Sequence, residues 1–171
     1  LNLVYLSNYF GLPEVGNFWE SIVELNDWHQ HRISRLIVKK LFGTVSNKKI
    51  CILGFAFKAN TNDTRESAAI SICKDLLDEG AFLKIHDPKV SSNQVEKDLE
   101  PNDLKTNFES NKKNWAFYDQ IKEASIKVDA VVVLTEWNIY SKIDWEQISI
   151  NVRKPCWVFD ARSIVDPQKV K

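Results

Sequence analysis

The 171-residue chain has no methionine, only five glycines and three cysteines, and no surplus of either charge, with 23 Lys and Arg against 23 Asp and Glu. Each shortage excludes something. A dinucleotide site on a strand–turn–helix unit uses three closely spaced glycines, which let the backbone approach a pyrophosphate. Gly54 stands alone after the first strand-like run, so this sheet is not expected to hold a dinucleotide in that way. Zero net charge leaves no general field to gather nucleic acid or an anionic membrane, so any anion site must be local. Cys51, Cys73 and Cys156 are scattered, odd in number and free of CxxC spacing. That suits a reducing, cytoplasmic setting better than a disulfide framework, and packing better than nucleophilic use. No run approaches the apolar length of a membrane span, and no signal peptide precedes the first helical pattern. Without an initiator, and opening on an uncapped apolar "LNLVYL", the chain reads as a piece of a longer protein.

What is present divides into two periodicities. From Glu14 to Phe42 apolar residues recur at helical spacing (Val15, Phe18, Ile22, Leu25, then Ile33, Leu36, Ile37, Leu41). That predicts one long amphipathic helix, with Pro13 in its first turn and Gly43 as its stop. "LNLVYLSNYF" predicts a second helix before it. After "SNKK", strand-like and helix-like runs alternate. The strands are "KICILGF", "AFLKIHD", a weaker "NWAFYD", "DAVVVLTEW" and "CWVFDAR"; the helices are "AAISICKDLLDEG", "VSSNQVEKDLE", "DQIKEASI" and "WEQISI". The first, fourth and fifth strands are continuous apolar runs, the mark of strands covered on both faces. The alternation predicts an α/β fold: a doubly wound, mainly parallel sheet, Rossmann-like but without GxGxxG, preceded by a long α-helix. Residues 1–46 are expected to form linking helices and 47–171 the α/β domain, with the polar stretch 101–113 as a surface insertion.

Open parallel sheets bind ligands outside the carboxyl ends of their strands. The residues expected there are Phe57 and Lys58, His86 and Asp87, Thr135 and Glu136, and Asp160 and Arg162, with Arg65 farther along the loop "GFAFKANTNDTRES". Two cations, Lys58 and Arg162, converging on one rim of a neutral protein suit a phosphorylated ligand. Asp63 and Glu66 have the spacing of a capping box, N-cap and N3 of the next helix. Arg65 between them gains nothing from a helix N-terminus and is expected to reach for an external anion. His29 and His31, two apart on a helix, face different ways, so no shared metal is expected.

The stretches "LNLVYL…GLPEV", "VSNKKICILGFAFK", "NDTRES", "HDPKV", "VVVLTEW" and "VFDAR" come in the order found in UDP-glucose dehydrogenases of eukaryotic type. The chain resembles the central helix and C-terminal domain of that family, the UDP-glucose/GDP-mannose dehydrogenases, over essentially its whole length. The resemblance implies an enzyme that oxidises UDP-glucose to UDP-glucuronate in two NAD-dependent steps, through a thiohemiacetal and a thioester on a cysteine. That cysteine and the NAD-binding domain would lie outside this chain, so no catalytic residue is expected within it and the piece alone would be inactive. Phe57, Lys58 and Arg162 match substrate contacts, and Arg65 matches an arginine that reaches NAD on the other lobe. The long helix would make a homodimer, and Lys40 to Thr44 match a region of hexamer assembly. Ala59, Asn60 and Asn62 depart from the family's usual Lys, Asp and Gly, and Ala161 replaces a Gly; Asn62 is expected to keep the turn by tolerating positive φ. Two other readings remain open: an oligomerisation module of the same enzyme, or a related dehydrogenase acting on another nucleotide sugar.

Overall fold

The computed structural model describes residues 2–100 and 114–170. The polar stretch 101–113, expected as a surface insertion, lies outside the described residues. The chain opens with a helical arm, α1 (Asn2–Tyr9) and α2 (Pro13–Lys40), packed against each other. Pro13 occupies the first turn of α2, where its missing N–H would have had no intrahelical acceptor. At the other end Leu41 N–H donates to the Ile37 carbonyl and Gly43 N–H to that of Val38, with Phe42 and Gly43 both at positive φ. Gly16 gives the Asn8 side chain of α1 its place: a Cβ there would stand 2.5 Å from Asn8 Oδ1, and that side chain would have to swing away.

The apolar stripe of α2 is not one buried face. Ile37 and Leu41 enter the main core, whereas Phe18, Leu25 and Leu36 stay exposed. Only Gly16, Ser34 and Ile37 of this helix are buried. Its C-terminal half is tied to the domain by polar contacts as well. Asp75 accepts from Ser34 Oγ and lies 2.8 Å from His31 Nδ1, and Ser71 Oγ donates to Gln30 Oε1 at 2.8 Å.

Five strands follow: β1 (Lys49–Leu53), β2 (Phe82–His86), β3 (Trp115–Phe117), β4 (Ala130–Val133) and β5 (Trp157–Asp160). They form one all-parallel sheet in the order β3-β2-β1-β4-β5. The connections are α3 (Ala68–Asp78), α4 (Ser92–Leu99), α5 (Ile121–Ala124), α6 (Asn138–Ser141) and α7 (Trp145–Asn151), and a 3-10 turn at Pro167–Lys169 closes the described chain. With the right-handed crossovers usual in such sheets, this strand order puts α3 and α4 over one face and α5 to α7 over the other. Strand register aligns Leu53, His86, Val133 and Asp160 at one edge. Because the chain winds outward both ways from β1 and β4, a crevice opens between their carboxyl ends.

Three local expectations are corrected. β5 is not covered on both faces; it is an edge strand, half-buried from Val158 to Asp160 and exposed at Trp157, where the Lys40 ammonium stands 5.5 Å from the indole centroid. β2, which alternates more, is buried from Leu83 to His86 and takes Lys84 inside. Its ammonium donates to the carbonyls of Ile126 and Glu123 at the end of α5 and lies over the Tyr118 ring, and burial lowers its pKa. The capping box at Asp63 and Glu66 does not form. Ser67 is the N-cap of α3, accepting from Ala69 N–H, while Glu66 has φ of 59° and stands outside the helix.

Candidate functional site

The crevice between β1 and β4 is lined by the loop after each strand, and its glycine serves packing. Gly54 has φ of 95°, and a Cβ on it would fall 2.5 Å from Thr135 Cβ and 2.7 Å from Thr135 N. The two loops therefore touch backbone to backbone, and Thr135 Oγ1 donates to the Ala56 carbonyl at 2.7 Å. From Phe57 onward the first loop turns outward and closes on itself: Phe57 N–H donates to the Asp63 carbonyl at 2.9 Å. Asn60, with φ of 67°, makes the turn; Asn62, the residue expected to do so, is not at positive φ. Ser67 Oγ, buried, donates to the Phe55 carbonyl and fastens the start of α3 to the end of β1.

The three cations of the rim stand in different circumstances. Arg162 spans the mouth of the crevice: its Nε donates to the Leu134 carbonyl at 2.8 Å and its Nη2 to the Phe57 carbonyl at 3.3 Å. Its Nε is also 3.3 Å from Glu136 Oε2, and Glu136 Oε1 accepts from Ala59 N–H. The turn that delivers it is organised by Asp160, which accepts from the N–H groups of Arg162, Ile164 and Val165. Positive φ falls on Ser163, not on Ala161, so the alanine at that place costs nothing in backbone strain. Arg162 is thus brought to the residue next to Lys58. Phe57 is 47% exposed beside it, and Lys58 is exposed with no hydrogen bond or ion pair among the described residues. Arg65 donates through Nε and Nη2 to both oxygens of Asp63, and its side chain is 87% exposed. The guanidinium holds the Asp63 carboxyl down at about 2. Arg65 therefore already has an internal anion, where the sequence pointed only to an external one.

His86, Asp87 and Thr135, read as rim residues, are buried. Tyr140 Oη donates to the His86 carbonyl at 3.0 Å and faces His86 Nδ1 at the same distance, and burial holds the imidazole pKa below its usual value. Asp87 Oδ2 accepts from Phe55 and Ala56 N–H and from the Trp137 indole, and its Oδ1 from Lys89 and Val90 N–H. The Asp-Pro-Lys sequence signals the second pair, an Asx turn; nothing local signals the first three. The turn after β1 does not fit a dinucleotide, because the amides that would face a pyrophosphate are satisfied by this carboxylate. Among the described residues no group of three or more His, Cys, Asp and Glu gathers for a metal. Cys51 and Cys73 are buried and their thiols are pushed up, to about 12 for Cys51, while the half-buried Cys156 thiol rises to about 11. No helix among the described residues is long and apolar enough to cross a membrane.

Comparison with known proteins agrees with this architecture. Residues 51–167 match the model of the UDP-glucose/GDP-mannose dehydrogenase family, UDP binding domain. The whole chain is 40% identical to UDP-glucose 6-dehydrogenase of Drosophila melanogaster, covering 36% of that protein. It is 38% identical to UDP-glucose 6-dehydrogenase 2 of Oryza sativa subsp. japonica, covering 37% of it. The chain thus spans little more than a third of the length of the curated relatives it matches. Among solved structures, a UDP-glucose dehydrogenase from the archaeon Pyrobaculum islandicum superposes with a TM-score of 0.71 at 20% identity, over 98% of this chain and 32% of that one. A ternary complex of GDP-mannose dehydrogenase from Pseudomonas aeruginosa does so at 0.64 and 16%, over 94% and 34%. The chain belongs to the UDP-glucose/GDP-mannose dehydrogenase family and carries its UDP binding domain.

Proposed function

We propose, with that membership as premise, that the chain is the UDP-sugar-binding part of an NAD-dependent dehydrogenase that oxidises UDP-glucose to UDP-glucuronate in two steps. Residues 47–171 hold the UDP moiety, and residues 1–46 form the arm that joins this domain to the rest of the enzyme and to a second copy. The observation that carries the reading is the rim at the β1–β4 crevice. There Arg162 bridges Leu134 and Phe57, beside an exposed Lys58 ammonium that makes no hydrogen bond or ion pair among the described residues and feels Asp63 only at longer range. A diphosphate needs cations that are unspent, and Lys58 is such a point charge. Arg162, shared with Glu136, contributes less charge and more geometry. Phe57 offers an exposed ring for the uracil or ribose to pack against.

NAD is held mainly by a domain outside these residues, since the turn after β1 is closed to it. Arg65, exposed at the outer end of the loop, is the group that would reach that cofactor by exchanging Asp63 for a phosphate. NAD, when bound, supplies the oxidising power; the residues here bind and orient the UDP moiety. The nucleophilic cysteine likewise lies elsewhere, since burial raises the thiols of Cys51, Cys73 and Cys156 alike and a thiol is a poor nucleophile.

Calorimetric titration of UDP into the full-length protein tests the reading. Lys58→Ala should weaken UDP by about 1.5–3 kcal/mol, the range for a hydrogen bond to a charged group. Unchanged affinity would remove Lys58 from the site, and no UDP binding at millimolar ligand in the parent would reject the function. A second reading, an assembly module, is favoured by the exposed apolar residues of the arm: Tyr5, Tyr9, Phe10, Phe18, Leu25 and Trp28. It is compatible with the first, and dimerisation without UDP binding would leave it standing alone. A related dehydrogenase acting on another nucleotide sugar is separated from both by comparing turnover of different UDP-sugars.

A further inference from the structure

The loop that bears Lys58 is held in its outward course by a buried carboxylate belonging to another loop. Asp87, 5% exposed, follows β2, and register places it beside Gly54, whose N–H donates to the His86 carbonyl. Its Oδ2 receives Phe55 N–H at 2.8 Å, Ala56 N–H at 3.0 Å and Trp137 Nε1–H at 3.2 Å. Its Oδ1 receives Lys89 N–H at 2.9 Å and Val90 N–H at 3.0 Å. All five partners are donors, and an ionised carboxylate is a pure acceptor, so the match is complete. Consecutive amides just after the first strand of a doubly wound sheet are where such folds ordinarily receive a phosphate. Here a side chain fills that anion position from within.

We infer that Asp87 is a positioning residue of the UDP site: it occupies the anion cradle of the β1–α3 turn, keeps phosphate out of it, and so presents Phe57 and Lys58 to the ligand farther out. The inference rests on the proposed UDP-binding function. Three loops meet at this one carboxylate, those after β1, β2 and β4. Trp137 ties in the β4 loop, whose neighbouring Glu136 holds Ala59 N–H and stands beside Arg162. Both cations of the site are therefore set by the same knot. Asparagine in place of Asp87 keeps the size but turns an NH2 group toward N–H donors, so at least one side of the knot opens.

The test is a double-mutant cycle on UDP affinity in the full-length protein, read beside thermal unfolding. Asp87→Asn should raise the UDP Kd about tenfold, somewhat less than the loss of more than about tenfold expected for Lys58→Ala alone. In the Lys58→Ala background, Asp87→Asn should change Kd by clearly less than it does alone, because part of its effect runs through the residue already removed and only the part through Phe57 and Arg162 is left. A Kd within twofold of the parent for Asp87→Asn, or losses that multiply in the double variant, overturns the inference. Loss of affinity in Lys58→Ala with none in Asp87→Asn sinks positioning and leaves the UDP site intact; no loss in Lys58→Ala sinks the UDP site itself. Should Asp87→Asn fail to fold, Trp137→Phe, which removes one donor and keeps the ring packing, carries the same cycle with a smaller first step. Formate adds an independent arm: it should restore UDP affinity to Asp87→Ala by supplying the missing carboxylate, while leaving the parent's affinity unchanged. A variant that loses affinity and gains nothing from formate counts against the cradle.

Discussion

The sheet and the helical arm contain similar side chains and put them to opposite use. In the sheet, Ile50 to Leu53 of β1 and Ala130 to Val133 of β4 are at most 1% exposed, closed in by neighbouring strands and helices on both sides. In the arm, α1 has no buried residue, and Tyr9, Phe10 and Phe18 are 71%, 70% and 59% exposed. Only the last turns of α2, through Ile37, Leu41 and then Val45, share the sheet's core. The sheet completes its own burial within one chain. The arm does not, and contiguous exposed apolar surface of that kind marks a place where another surface belongs.

That contrast can be broken most directly at its two extremes. Ile52→Ala, in the central strand, should cost about 2–5 kcal/mol of unfolding free energy in denaturant titrations, through lost burial and the cavity left behind. Leu25→Ala, on the open face of the arm, should cost less than about 0.5 kcal/mol in the monomer. Equal losses would mean that the arm is as integral as the sheet. Next in size, Phe18→Ser with Trp28→Ser should raise the dimer dissociation constant measured by sedimentation by roughly tenfold or more, aromatic anchors being the usual hot spots. Unchanged association would place the partner elsewhere on the molecule.

A finer version of the comparison lies between the cations of the rim. Arg65→Ala should weaken NAD by roughly twofold to fivefold, the worth of an exposed ionic contact, and leave UDP affinity alone. An effect confined to UDP would reverse the division of labour between Arg65 and Lys58. The smallest effect concerns Asp63. Its carboxyl is held at about 2 by Arg65, below the ordinary aspartate value near 3.9. A lowered folded-state value means that the pairing is fully present above about pH 4 and is lost as pH falls through about 2. An NMR titration should follow Asp63 well below its Arg65→Ala counterpart; coincident curves would show that the fork does not persist in solution.

The residues differ in how much they disclosed before the fold was known. All five strands and the long helix were legible, because alternation of buried runs with helical periodicity reflects local geometry alone. The covering of β5 was misjudged, since an apolar run does not say whether a strand lies at the edge of a sheet. The capping box misled for a related reason: Asp63 had a nearer partner in Arg65, and Ser67 was better placed to start α3 once the loop had turned. Positive φ fell on Asn60, two residues before Asn62 where it was expected, and on Ser163, two residues after Ala161, because turns are set by where the closing hydrogen bonds fall.

Periodicity, glycine shortage and the charged loop after "KICILGF" were enough to determine a doubly wound sheet without a dinucleotide turn, and its motifs named the family. Only the tertiary structure decided that the amides of that turn are filled by Asp87, that Arg162 reaches across Leu134 to Phe57, and that Lys58 alone of these three rim cations makes no hydrogen bond or ion pair among the described residues. The physical reason is distance along the chain. Each of these contacts joins residues about 30 to more than 100 positions apart, and no local pattern encodes which donor a buried acceptor will meet.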